Sequence, residues 1–141
     1  MNNKKIFLAV NIIVPLIIGA ILYYIAAPDV IFVKMTDLIT GGRNHVSIPG
    51  FVRNHLLDMF WGYSLVFALF GILGNNTVSI WRIFLMAYIF SAAMEILQAT
   101  PFIQGTFDVL DIVYLFLAEM AAVFIIKIFT KREEMKDEKE F

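Results

Sequence analysis

The run Ile6 to Ala27, IFLAVNIIVPLIIGAILYYIAA, decides the fold class. Only Asn11, Pro15, Gly19 and two tyrosines interrupt its apolar character. A helix of roughly 20 apolar residues crosses a hydrocarbon core about 30 Å thick, so this run is long enough to span. It follows Lys4 and Lys5, as a secretory signal would. Such a signal has an apolar core of only about 7–15 residues and ends at a small-x-small cleavage site, so an uncleaved first span is expected. Pro15 removes one backbone hydrogen bond, which neighbouring helices support inside a bilayer as a kink.

Outward from this run, three further apolar stretches repeat the signal. Leu56 to Leu73 starts near Asp58 and carries Trp61 and Tyr63 where an interfacial aromatic belt sits. Ile80 to Leu97 begins with Trp81 and Arg82 and ends at Glu95 and Gln98, and Phe107 to Phe129 contains Asp108, Asp111 and Glu119. The expected architecture is an all-α integral membrane bundle of about four transmembrane helices, with spans near 6–27, 56–73, 80–97 and 107–129. A single bundle occupies 1–130 and a charged tail occupies 131–141. The one long loop, Pro28 to Asn54, contains an amphipathic patch from Val30 to Leu38 suited to the interface.

Composition agrees and excludes several functions. Of 141 residues, 60% are apolar and 16% charged, far from the usage of soluble domains. A net charge of −1 gives no basic excess for nucleic acid. The absence of cysteine removes thiolate chemistry, disulfides and cysteine-ligated metal. No phosphate loop, dinucleotide fingerprint or Gly-x-Ser-x-Gly is present. His45 and His55 fit none of the compact zinc spacings, so both are expected to be surface polar residues and neither a metal nor another cofactor is predicted.

Lysine and arginine near span ends set the orientation. With the N-terminus inside, Lys4, Lys5, Arg82, Lys127, Lys131, Arg132, Lys136 and Lys139 are cytoplasmic, against Lys34, Arg43 and Arg53 outside, eight to three. Both termini are therefore expected in the cytoplasm, and the ends carrying Glu95 and Asp111 face outward.

Carboxylates within apolar spans carry the functional signal, because each costs on the order of 2.5–3.5 kcal/mol at the bilayer centre and needs a partner or a task. A rise of about 1.5 Å per residue sets Asp111 roughly 6 Å and Glu95 roughly 7 Å below the outer helix ends. Asp58 and Asp108 belong to the same rim, with Gln98, Arg53, Asn54 and His55. Capping explains Asp108 about as well as a site does, and the helix dipole does the same for Asp58. Glu95, at a helix C-terminus, has no such explanation. Glu119 sits roughly 18 Å down its helix, where an interhelical hydrogen bond to a tyrosine, a serine or Arg82 is the first expectation and a proton pathway the second.

The sequence Glu95-Ile-Leu-Gln98, a Pro-containing turn, then Asp108-Val-Leu-Asp111 resembles the VanZ-like family of small bacterial membrane proteins, whose hallmark is Glu-x-x-Gln followed by Asp-x-x-Asp. Arg53 to Leu65 resembles the family's preceding helix, so the likeness covers about Arg53 to Val123. Leu115 and Ala118 stand where members commonly carry Asn and Gly, and Thr106 and Phe107 where many carry Arg. The resemblance implies an envelope role and low-level resistance to teicoplanin-type lipoglycopeptides. The expected site, Glu95, Gln98, Asp108, Asp111, Asp58 and Arg53, would bind a headgroup, a glycan, a lipid-linked precursor or a lipoglycopeptide, with membrane lipids as constant partners. The rival functions are a membrane enzyme using carboxylate acid/base chemistry on a lipid-linked glycan or phospholipid, and a proton-coupled transporter.

Overall fold

The computed structural model describes residues 3–26, 38, 49–74, 78–100 and 107–137, with the side chains of Arg53 and Asn54 excepted. The Val30 to Leu38 patch, Leu38 apart, His45 and the last residues of the tail lie outside this set. Within it the protein is all-α. Helix α1 spans Asn3–Ala26, α2 Gly50–Asn54, α3 Leu56–Leu73, α4 Ile80–Gln98 and α5 Val109–Asp137. Four stretches are long and apolar enough to cross a membrane: Asn3–Ile25, Gly50–Leu73, Ile80–Gln98 and Val109–Lys136.

Two boundaries differ from the sequence expectation. The second span begins at Gly50 because α2 runs into α3 through His55, whose N–H bonds the Phe51 carbonyl at 2.9 Å while Met59 N–H bonds the His55 carbonyl at 3.1 Å. Pro and Gly at positions 49 and 50 read as loop, yet proline immediately before a helix costs no hydrogen bond. The fourth span continues as helix through Asp137, because Lys131 to Asp137 is rich in strong helix formers and carries the Glu133–Lys136 pair at 3.7 Å. The start of the charged tail is therefore helical.

Helix α3 is the centre of the bundle and packs against α1, α4 and α5. Val66 and Phe67 of α3, Phe84 and Ala87 of α4, and Ala122, Val123 and Ile126 of α5 form the buried cluster. On α5 the buried positions are Leu115, Ala118, Glu119, Ala122, Val123 and Ile126, the spacing of one helix face turned inward. Large apolar side chains such as Ile17, Ile89 and Ile128 instead point outward, each more than half exposed, as lipid contact requires. Small residues at Ala87, Ala118 and Ala122 let the backbones approach where lipid offers no hydrophobic drive for association.

The Phe7 and Phe129 rings stack at 3.8 Å, so the beginning of α1 and the late turns of α5 share one end of the bundle. Lys127 lies over Trp81 at 4.3 Å at that same end. The acidic ends of α4 and α5 are at the other.

Candidate functional site

The opposite end gathers side chains from three spans. Glu95 leaves the last turn of α4 and is 3% exposed. Gln98, one turn on, donates its amide to Glu95 Oε2 at 3.0 Å. Across the α4–α5 connection the Asp108 N–H reaches Glu95 Oε1 at 3.2 Å. Both carboxylate oxygens are thus held, one by its own helix and one by the mouth of the next, and this answers the unfavourable dipole at a helix C-terminus.

Asp108 has two tasks. Its Oδ1 accepts the Leu110 N–H at 2.9 Å, which is the capping expected of it, while its backbone N–H anchors Glu95. Asp111, in the first turn of α5 and 6% exposed, accepts a hydrogen bond from His55 Nδ1 at Oδ1, 2.5 Å away. His55 is buried, which corrects the expectation of a surface polar residue. Its ring is wedged against Tyr114 at 4.9 Å and Phe51 at 5.7 Å, so the bend between α2 and α3 aims it at α5. Asp58 lies in the first turn of α3, where the positive end of the helix dipole favours a carboxylate as expected.

Ligand atoms of Asp58, Glu95 and Asp111 all lie within 4.8 Å of one another, and so do those of His55, Asp108 and Asp111. Asp111 belongs to both groups. Of the six residues expected at the site, Asp58, Glu95, Gln98, Asp108 and Asp111 come together, while the Arg53 side chain lies outside the described set. No family model, characterised protein or solved structure matches this chain. The site must therefore be read from its own chemistry.

A groove of about 370 Å³ between α1 and α3 reaches the same cluster from the lipid side. Pro15, Gly19 and Tyr23 line it on α1, and Asp58, Phe60 and Trp61 on α3. Among the described residues, Asp58 is the one charged group in this apolar lining.

Deeper in the bundle, Glu119 is fully buried and accepts the Ser91 hydroxyl at Oε1 over 2.7 Å. This is the serine partner among those expected. Oε2 of Glu119 and Oγ of Ser64 are buried with no hydrogen-bond partner among the described residues. Glu119 packs so closely on α3 that a Cβ at Gly62 would stand 3.2 Å from Oε1 and 2.8 Å from Leu115 Cδ2.

Sequence reasoning set His55 on the outward rim without foreseeing its contact with Asp111, and it missed Ser91. The signal for His55 was its placement one turn before Asp58 on a common helix face. Ser91 is one turn before Glu95, but a lone serine in an apolar span carries no comparable mark.

Proposed function

We propose that this chain is a multi-pass protein of the bacterial cytoplasmic membrane, with both termini cytoplasmic, whose carboxylate cleft opens at the outer surface and binds a polar headgroup, a glycan or a lipoglycopeptide-type ligand. One observation carries the reading: Asp58, Glu95 and Asp111, from three different spans, meet within 4.8 Å. Acids that served only as caps would satisfy their own helix mouths and need not converge. The groove that ends at Asp58 supports an amphiphile in particular, since a chain can lie between α1 and α3 while its headgroup meets the acids. The eight-to-three distribution of basic residues supports the orientation. The resemblance to VanZ-like proteins supports an envelope role and a contribution to resistance against teicoplanin-type lipoglycopeptides.

The test is growth inhibition by a teicoplanin-type lipoglycopeptide in cells carrying the wild-type chain or Glu95→Gln, at matched membrane levels. Protection is expected from the wild type and lost in the variant. Equal protection by both removes the site.

The His55–Asp111 pair favours a second reading, a membrane enzyme acting on a lipid-linked glycan or phospholipid. An imidazole oriented by a buried carboxylate beside further acids has the arrangement of a general base with its orienting group. A lipid product formed by the wild type and absent from His55→Gln would place this reading first.

A further inference from the structure

We propose that the basic end of the bundle carries a second, separate site, a cavity that takes the headgroup of an anionic phospholipid with Lys4, Lys127 and Lys131 as its phosphate partners. It lies at the opposite end from the carboxylate cleft and does not depend on what that cleft binds. The cavity measures about 810 Å³ and is enclosed where α1 and α4 begin and α3 ends, against the late turns of α5.

Charge is the first argument. Lys4 comes from the start of α1, while Lys127 and Lys131, four residues apart, share one face of α5. Aromatic rings position two of these ammonium groups. Lys4 Nζ stands 5.5 Å from the Phe70 ring centre and Lys127 Nζ 4.3 Å from that of Trp81. A ring attracts an ammonium through its quadrupole and brings no anion with it, so a lysine held in this way still draws a phosphate.

Depth is the second argument, and it selects a lipid over a soluble anion. A rise of about 1.5 Å per residue sets Lys127 roughly 27 Å along α5 from Val109, near the far boundary of a hydrocarbon core about 30 Å thick. Lys4 and Ile80 stand at the start of their own spans at the same end. The lysines are therefore level with lipid phosphates. Beside them the cavity wall is apolar, built by Phe70, Ile126 and Phe129, which suits the first carbons of an acyl chain better than a hydrated ion.

The mouth of α4 adds to the attraction. Ser79 and Ile80 line the cavity where this helix begins, and the Ser79 side chain makes no capping hydrogen bond. The first N–H groups of a helix have no intrahelical partner and carry the positive end of its dipole. Two acids, Glu133 and Glu134, also line the cavity. They lie roughly 9 Å or more further along α5 than Lys127, on the water side of the phosphate level, and Glu133 stands 3.7 Å from Lys136. Basic pockets between spans bind acidic lipid headgroups through the same combination of charge and depth.

The full chain, purified in detergent, is titrated with phosphatidylglycerol, phosphatidylcholine or inorganic phosphate while thermal unfolding and retained lipid are followed. Expected are a rise in Tm with phosphatidylglycerol alone and its retention ahead of phosphatidylcholine. Lys127→Gln and Lys131→Gln should each weaken phosphatidylglycerol binding about fivefold, the share of one basic contact near a charged surface. Lys5→Gln and Arg132→Gln remove the same charge from the same end but lie outside the cavity lining, and both should bind as wild type does. Equal retention of the two phospholipids overturns the proposal, as does inorganic phosphate that stabilises as much as the lipid. A loss in Arg132→Gln as large as in Lys127→Gln also overturns it, because the affinity would then belong to the net charge of that end and not to the cavity.

Should the lysine variants fail to fold, fluorescence quenching in Trp61→Phe still decides. The chain has two tryptophans, Trp61 beside Asp58 in the α1–α3 groove and Trp81 beside Lys127, so this variant leaves Trp81 as the reporter. In vesicles, brominated phosphatidylglycerol should quench Trp81 more strongly than brominated phosphatidylcholine at the same mole fraction. Equal quenching by the two removes the site.

Discussion

His55 and Asp111, 56 positions apart in the chain, meet through Nδ1 and Oδ1 at 2.5 Å, and this contact ties the bend in the second span to the first turn of the fourth. Both side chains are largely withdrawn from solvent, at 11% and 8% exposure. Truncating either leaves the other buried without its partner, which costs about 3 kcal/mol. His55→Ala and Asp111→Ala should each lower stability by that amount in mixed-micelle unfolding. The double variant should fall well short of twice that loss. Additive losses would mean that the contact is not energetically shared.

At Gly62, α3 and α5 approach closely enough that an added Cβ would stand 2.8 Å from Leu115 Cδ2. Leu115 Cδ2 is the end of a flexible chain, but Leu115 and Glu119 are both buried and have little room to move. Gly62→Ala should therefore destabilise by about 1–3 kcal/mol, the usual range for overpacking. Adding Leu115→Ala should recover part of the loss, because it empties the space the new methyl enters. A thermal unfolding series on the three variants measures both effects.

Ser91 and Glu119 form the described side-chain hydrogen bond deep in the bundle. Interhelical bonds in membranes average about 0.6 kcal/mol and reach about 1.7. Ser91→Ala leaves the whole Glu119 carboxyl without a partner among the described residues and should lie toward the upper value. Glu119→Gln preserves an acceptor for the serine and should cost less. If Ser91→Ala proves the milder change, the hydroxyl is not what holds the buried acid.

The four spans were legible because each is a run of about 20 apolar residues, the one length that satisfies both the bilayer and the backbone. The rim was legible for a related reason. Acids in apolar sequence are costly, so Glu95, Asp108 and Asp111 announced themselves, and the rise per residue set them at matching depths. His55 was legible as a rim residue but not as the partner of Asp111, since motif spacings describe ligands that are local in sequence and its partner comes from another span. The bend that delivers it follows Gly50–Asn54, a stretch whose Pro49 and Gly50 read as loop. Ser91 was hidden for the opposite reason, as one hydroxyl too cheap in an apolar helix to demand an explanation.

The cleft faces outward only if the end bearing Glu95 and Asp111 is the external one, and the charge count behind that orientation can be tested directly. The chain has no cysteine, so single-cysteine variants report without background. Ala99 is exposed beside the cleft, and Glu134 is exposed on the helical extension of α5 at the other end. Ala99→Cys should react with a membrane-impermeant maleimide in intact cells. Glu134→Cys should react only after permeabilisation. The positive-inside bias makes this the favoured outcome because eight basic residues would otherwise have to lie outside. The reverse labelling pattern would move Asp58, Glu95 and Asp111 to the inner leaflet, where an extracellular lipoglycopeptide cannot reach them, and a cytoplasmic-leaflet headgroup would become the ligand to test.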